Sequence, residues 1–171
     1  YKLFNGVIQL HQRVNLSEEA LLHNYSIIVE YLFYPQRTQL LMPDFSASSS
    51  GLKHFADVKV LMQISFFTAC LSTLLSGFMI GKIRQQRQKI PNLKIMLQFF
   101  MAFPVIMLSL LIFSFDQAFV VFHQIFFRDD SWYFDPLTDP IIRVLPAEFF
   151  LLMGLVILLS YCLIYFIYYH L

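Results

Sequence analysis

Three uncharged apolar runs restrict what this chain can fold into. They cover residues 60–81, 95–115 and 149–169, and none contains Asp, Glu, Lys, Arg or His. Each has about 20 residues, which as a helix rise roughly 30 Å, the thickness of the hydrocarbon core of a bilayer. Since 58% of the 171 residues are hydrophobic, more than a soluble core of this size can bury, the sequence predicts an all-α membrane protein, a helical transmembrane bundle.

A basic segment between the first two runs determines the expected orientation. Residues 82–94 contain several cations and no acid, and cytoplasmic loops carry such an excess of Lys and Arg. With this loop in the cytoplasm, residues 1–59 and 116–148 form an extracellular cap, and residues 149–171 form the last transmembrane helix with a cytoplasmic tail. The cations are Lys82, Arg84, Arg87, Lys89 and Lys94.

Three spans would leave the N-terminal segment outside the cell with no visible means of translocation. The chain also begins at Tyr1 and not at Met. We therefore expect an upstream segment, either a cleaved signal peptide or, as we favour, a fourth transmembrane helix.

The extracellular cap is predicted to contain one amphipathic helix and irregular or short β segments. Asn15 and Ser17 precede two glutamates, as at a capped helix start. Prolines around residues 40–42 indicate a turn or a short strand. The helix would pack its apolar stripe against other cap segments or turn Tyr25 toward a functional site. Its apolar stripe consists of Leu21, Tyr25, Ile28 and Leu32.

Two histidines lie in dense motifs beside the apolar runs. His54 precedes the first run, and His123 follows the second, on a helix that we expect to continue past Asp116. The predicted topology brings both to one membrane surface. Because an imidazole accepts or donates a proton near neutral pH, the pair predicts acid and base acting on a lipid-borne bond.

Residues in these motifs also have structural interpretations. Asp57, three residues after His54, could orient the imidazole as a base or make a helix-start hydrogen bond near the interface. Lys59 could stabilise an oxyanion or extend to lipid headgroups, as a Lys at a span end usually does. A lone histidine in an aromatic cluster, such as His123, more often packs than reacts.

Metal and nucleotide chemistry have little support in the sequence. His54, Asp57, His123 and Asp139 could supply ligands to zinc, but no His-Glu-x-x-His or paired-Cys spacing occurs. The glycine-rich phosphate loops and the Gly-x-Ser-x-Gly elbow are absent as well. We therefore expect no metal, no other cofactor, and neither a nucleotide nor a nucleic acid as partner.

Longer motifs connect this chain to a known family. They are residues 116–119, His54-Phe55-x-Asp57-Val58-Lys59, Phe122-His123-x-x-Phe126-Phe127, Trp132-x-Phe134-x-Pro136-x-x-Asp139-Pro140-Ile141-Ile142 and Leu145-Pro146-x-x-Phe149-Phe150. With these motifs the chain resembles the bacterial lipoprotein intramolecular transacylases over nearly its whole length.

The resemblance implies a fold, an activity and a location. Such enzymes have four transmembrane helices and an extracellular cap, and they are multi-pass proteins of the bacterial cytoplasmic membrane with the active site at the extracellular face. They transfer the sn-2 acyl chain of a diacylglyceryl-modified cysteine to the α-amine of that cysteine, which gives a lyso-form lipoprotein. The implied partners are a diacylated lipoprotein and membrane lipids.

The resemblance also implies that His54 and His123 are the catalytic residues. We hypothesise that His54, oriented by Asp57, removes the amine proton and that His123 stabilises the intermediate or protonates the leaving oxygen, although the order could be reversed. Attack closes a medium-sized ring, so confinement of the substrate should supply much of the rate. Supporting or substrate-binding roles are predicted for Tyr25, Asp57, Lys59 and Asp139, and a restraining aromatic wall for Phe119, Phe122, Phe126, Trp132 and Phe134.

Two other functions stay open at this point. One is an intermolecular acyltransferase that takes its acyl group from a phospholipid. The other is a lipid-binding or assembly subunit with no enzymatic activity. Mass spectrometry of a lipoprotein N-terminus, with and without this protein, distinguishes all three.

Overall fold

The computed structural model describes residues 1–85 and 93–170, and its regular elements are all helical. The predicted all-α class is therefore confirmed, and residues 40–42 are irregular backbone within a described part of the chain that contains no strand. Most of the predicted basic loop, including Arg87 and Lys89, lies outside the described residues. The helices are α1 Lys2–Ile8, α2 Leu10–Arg13, α3 Glu18–Phe33, α4 Ser49–Gln85, α5 Leu93–Phe113, α6 Phe115–Phe126 and α7 Ala147–His170, with 3₁₀ turns at Asp130–Trp132 and Pro140–Val144.

The chain divides into two compact units. The first unit combines Tyr1–Thr73 with His123–Pro146, and the second combines Leu74–Phe122 with Ala147–Leu171. Both histidine motifs contribute to the first unit, which therefore contains the candidate site.

Two helices are long and apolar enough to cross a membrane, judged by length and composition within residues 1–85 and 93–170. They are α4 and α7. The helix α5 contributes only a shorter apolar segment, Met101–Phe113, among the described residues. The predicted number of three spans therefore stays a prediction.

The helix α4 begins well before the apolar run from which it was predicted. It has 37 residues and is roughly 55 Å long at 1.5 Å per residue, well beyond the 30 Å that a span requires. Its first turns, residues 49–59, precede the apolar run and contain Lys53, His54 and Asp57. His54 therefore lies on a regular helix outside the predicted membrane-spanning part.

Hydrogen bonds at its N-terminus explain why α4 starts at Ser49. The Ser48 hydroxyl accepts from the Gly51 N–H at 2.9 Å, and the Asp139 carboxylate accepts from the Ser48 N–H at 2.7 Å. A carboxylate is favourable there because the N-terminus of a helix carries partial positive charge. Asp139, with 3% of its surface exposed, thus connects the segment after Asp135 to the helix that carries His54.

The predicted continuation of the second apolar helix past Asp116 is only partly correct. The assigned helix ends at Phe113 and α6 begins at Phe115. Backbone hydrogen bonds still pass through Ser114, whose N–H donates to Leu110 and whose carbonyl accepts from Ala118, both at 2.9 Å. Helical hydrogen bonding therefore continues through Ser114, although the chain forms two assigned helices.

The predicted amphipathic helix of the cap is α3. Its N-terminus is capped as expected, because the Ser17 hydroxyl accepts from the Ala20 N–H at 3.1 Å. Leu21 and Ile28 are buried in the core of the first unit. A buried polar contact supplements this packing, since Asn24 donates to the Asp44 carboxylate at 2.6 Å and so binds the irregular segment to α3.

We predict that Gly51→Ala destabilises the protein. A Cβ at position 51 would overlap the Asp139 carboxylate and come within 2.9 Å of the Phe134 ring, so the expected loss is about 1–3 kcal/mol in the free energy of unfolding. Thermal unfolding in detergent measures it. Gly6→Ala in α1 is the matched control, because among the described residues no atom beyond its chain neighbours and helix backbone lies within 4 Å of the added Cβ. Equal stability of the two variants would contradict the prediction.

Candidate functional site

Two imidazole rings lie side by side in the first unit. The ring centroids of His54 and His123 are 5.7 Å apart, with an angle of 33° between the ring planes. Each residue exposes only 7% of its surface. The structure thus brings together the two histidines that the sequence singled out, one from the polar start of α4 and one from the end of α6.

Three aromatic rings surround this pair, and we call them the aromatic enclosure: Phe127, Trp132 and Phe134. Phe127 contacts both imidazoles, with centroid distances of 4.7 Å to His54 and 5.3 Å to His123. Phe134 presents its ring to His54 at 5.5 Å and 78°, and Trp132 stacks on His123 at 4.6 Å and 30°. The enclosure removes water from the imidazoles and provides them with apolar faces.

The aromatic enclosure overlaps the predicted wall only in part. Trp132 and Phe134 belong to both. Phe119 instead packs against Phe115 and Phe150 in the second unit, at 5.7 and 6.0 Å. For Phe119, and for the exposed Phe122 and Phe126, a role in confinement stays a prediction.

Phe127 was not predicted to take part in the site. It belongs to the same motif as His123, but the predicted wall contained Phe126 and not Phe127. The Phe127 N–H still donates to the His123 carbonyl at 2.8 Å, one helical turn back. Residues four apart share a helix face, so spacing counted from His123 is the signal that indicates Phe127.

Burial keeps His54 neutral. Desolvation, with a smaller effect from the positive charge of His123, lowers the pKa of His54 from 6.5 to about 4. The charges of Asp57 and Asp129 oppose this shift and that of Lys53 adds to it. At neutral pH the His54 ring can therefore accept a proton, and its buried Nδ1 has no hydrogen-bond partner within the described residues.

Of the two interpretations given for Asp57, the one in which its carboxylate accepts a hydrogen bond from the His54 ring is wrong. The Asp57 carboxylate accepts instead from the Lys53 ammonium, at 2.5 Å, and these residues are one helical turn apart on α4. An ammonium at this spacing is a better partner for a carboxylate than a neutral imidazole. Asp57 therefore influences His54 through its charge and not by orienting the ring.

Lys59 has partners other than the two that were predicted for it. Its ammonium donates to the backbone carbonyl of Arg37 and lies 4.4 Å from the centroid of the Tyr31 ring. Both partners belong to α3 or to the segment that follows it. In the structure Lys59 connects the cap to α4, and a role toward an oxyanion or a headgroup stays a prediction.

Tyr25 and Asp139, which were also predicted to support the site, make contacts that stabilise the fold. Tyr25 stacks on Tyr1 with a centroid distance of 4.1 Å, and burial raises its pKa. Asp139 anchors the start of α4, as described above. Within residues 1–85 and 93–170, no group of three or more His, Cys, Asp and Glu side chains could hold a metal ion, and the four residues considered for zinc are not gathered into one.

An ion pair beside the histidines was not predicted at all. The Lys53 ammonium contacts Asp129 at 2.7 Å in addition to Asp57. The Asp129 carboxylate also accepts from the Ser131 N–H at 3.0 Å. Residues so far apart in sequence leave no periodic signal, and only the fold shows that they meet.

Comparison with known proteins gives a consistent result. The family model described as lipoprotein intramolecular transacylase Lit matches residues 1–150. A structure of the membrane-integral lipoprotein intramolecular transacylase Lit from Bacillus cereus has a TM-score of 0.82 at 24% identity, and the match covers 99% of this chain and 80% of that chain. At that level of identity the similarity shows a shared fold.

Two variants of the Bacillus cereus protein, in which one histidine is replaced by arginine or alanine, match with a TM-score of 0.73 at 24% identity. These matches cover 99% of this chain and 77% and 78% of the respective variant chains. A comparison with curated protein sequences gives no significant match.

We predict that His54 titrates with a pKa of about 4 and that Asp57→Asn lowers this pKa further. The Asp57 charge favours the imidazolium, so its removal makes protonation more difficult. NMR titration of isotopically labelled histidine measures both values, with His54→Gln identifying the resonance. An ordinary pKa near 6.5, or an unchanged value in Asp57→Asn, would contradict the electrostatic account.

Proposed function

The chain belongs to the lipoprotein intramolecular transacylase family and is an acyltransferase, and on this premise we propose that it transfers the sn-2 acyl chain of a diacylglyceryl-modified N-terminal cysteine to the α-amine of that cysteine. The product would be a lyso-form lipoprotein. The pair of buried imidazoles 5.7 Å apart is the observation that supports this proposal most strongly.

The transfer requires one base and one acid. The amine nitrogen attacks the ester carbonyl, the bond between that carbonyl carbon and the glyceryl oxygen breaks, and an amide and a free hydroxyl result. The α-amine, with a reference pKa of about 7.7–8.0, attacks as the neutral fraction that has already lost one proton to water. In the adduct the nitrogen must then lose one more proton, and the glyceryl oxygen must gain one. A neutral imidazole as the base and a protonated imidazole as the acid would meet both demands without a nucleotide or an enzyme nucleophile.

The lowered pKa of His54 keeps its ring neutral and favours it as the base, and we assign the role of the acid to His123. A positive charge on His123 lowers the pKa of His54, so protonation of His123 leaves His54 neutral. A base with a pKa of about 4 is too weak to deprotonate a free ammonium efficiently. It is better suited to the more acidic N–H of the tetrahedral adduct, after which the proton must return from His54 to His123.

The aromatic enclosure supports confinement of the substrate. Attack of the amine on its own lipid closes a medium-sized ring, which is entropically unfavourable for a flexible molecule. Phe127 and Phe134 limit the space beside His54 with flat apolar faces. We propose that these faces hold the folded lipid in the conformation that brings the amine to the ester.

The distribution of charge along α4 supports a location of the site at the extracellular face of a multi-pass protein. The polar start of α4, with Lys53, His54 and Asp57, lies before the apolar run, and the basic residues that begin with Lys82 lie after it. The positive-inside rule assigns the basic end to the cytoplasm. On this basis we propose that the imidazole pair acts at the outer boundary of the bacterial cytoplasmic membrane.

His54→Ala and His123→Ala should each reduce formation of lyso-form lipoprotein to background, because either variant lacks the base or the acid. Removing general acid or base catalysis alone typically costs a factor of about 10²–10⁴. The assay is mass spectrometry of a diacylated lipoprotein after incubation with purified enzyme. His23→Ala is the matched control, since His23 is an exposed histidine of α3 and its loss should not change turnover.

A substrate labelled on both its acyl chain and its peptide distinguishes the two acyl-transfer routes. In a mixture with unlabelled lipoprotein and phospholipid, intramolecular transfer keeps both labels on one molecule. Exchange of the acyl label between molecules would instead show the intermolecular route. In the preceding experiment, a normal amount of product from a folded His54→Ala or His123→Ala variant would contradict the roles assigned to the histidines.

The enclosure generates a separate prediction. Phe127→Leu and Phe134→Leu keep an apolar side chain but remove the flat ring, and we expect turnover to fall about 10- to 100-fold because the substrate is held less firmly. Steady-state rates and thermal unfolding are measured together. Phe33→Leu on the exposed surface of α3 is the control, and full activity in both enclosure variants would remove the confinement argument.

A further inference from the structure

Lys53 is bound from two sides, once within its own helix and once across the fold. Its partner within α4 is Asp57, and its partner across the fold is Asp129, at 2.7 Å. All three side chains are between 39% and 51% exposed, and ion pairs this exposed contribute little to the free energy of folding. The arrangement therefore needs an explanation other than stability.

Asp129 connects Lys53 to the second histidine. Its carboxylate accepts from the Ser131 N–H at 3.0 Å and so holds the start of the 3₁₀ turn Asp130–Trp132. Trp132, the last residue of this turn, is buried and stacks on His123. A continuous series of contacts thus extends from Lys53, next to His54 on α4, to the indole that covers His123.

We propose that Lys53 is a positioning residue, whose ammonium binds α4 to the turn that holds Trp132 against His123 and thereby sets the spacing of the two imidazoles. This inference rests on the proposed function, because the spacing matters only if both rings act on one substrate. Aromatic contacts tolerate sliding, whereas the ion pair and the capped turn define a particular distance between the two elements.

The charged groups that act on His54 are those of His123, Asp57, Lys53 and Asp129. Lys53 contributes a positive charge that disfavours the imidazolium, and the two carboxylates favour it. Loss of Lys53 therefore has two separable consequences. The rings lose their fixed spacing, and the pKa of His54 rises, which moves the acid limb of the pH–rate profile to higher pH.

Trp132 is the only tryptophan in the chain, so intrinsic fluorescence reports on the contact with His123 independently of catalysis. A protonated imidazole quenches an indole on which it is stacked. In the wild-type protein we expect the emission to fall as the histidine pair is protonated. In Lys53→Met we expect at least half of this pH-dependent change to be lost, and His123→Phe gives the baseline for its complete loss.

Turnover and thermal unfolding complete the experiment. Lys53→Met should lower turnover about 10-fold, as a small misplacement of reacting groups does, with an unchanged melting temperature, and Lys53→Arg should restore most of the rate. Glu30→Gln is the matched control, because it removes an exposed ion pair of the same unit, between Glu30 and Arg37 at 2.8 Å, that belongs to α3 and the segment after it and not to the helices that carry the histidines.

A double-mutant cycle separates the two partners of Lys53. The effect of Lys53→Met should depend strongly on whether Asp129→Asn is already present, and only weakly on Asp57→Asn, because Asp57 lies on the same helix and connects nothing across the fold. Equal coupling to the two carboxylates, or wild-type fluorescence in Lys53→Met, would overturn the inference. Activity in a folded His54→Ala variant would instead overturn the proposed function and leave the fluorescence result standing.

Discussion

The hydrogen bonds at the start of α4 determine where His54 can lie. Asp139 accepts from the Ser48 N–H, Ser48 caps the first turn, and the absence of a side chain on Gly51 leaves room for both Asp139 and Phe134. His54 follows one turn later. The helix therefore begins where a buried carboxylate from a distant segment meets its positive end, and this start sets the position of His54 on α4.

Burial of two titratable rings in contact then restricts their protonation. The aromatic enclosure removes water from both imidazoles, and a proton on one disfavours a proton on the other. A pair of this kind is suited to moving a proton from an amine to a leaving oxygen. The ion pair of Lys53 with Asp129 is partly exposed to solvent. Its charges therefore keep part of their hydration and do not carry the desolvation cost of a buried ion pair.

Sequence reasoning was most successful where a local pattern decides the structure. The start of α3 at Ser17, the apolar helices and the two histidine motifs were predicted from short-range spacing, and the family follows from the longer motifs. The same reasoning was wrong for the Asp57 hydrogen bond, because helical spacing puts Lys53 and His54 within reach of the same carboxylate and does not say which partner it takes. The predicted wall likewise contained Phe126, whereas Phe127, one helical turn after His123, contacts both histidines.

By itself, the sequence determined that this chain forms apolar helices with polar ends, that it belongs to a membrane acyltransferase family, and that His54 and His123 are the residues to examine. Only the tertiary structure decided that the rings meet at 5.7 Å, that Asp139 anchors α4, and that Lys53 and Asp129 join the two halves of the site. The physical reason is range. Hydrophobic periodicity and capping act within a few residues, whereas an ion pair or a ring contact between distant segments exists only after the chain has folded.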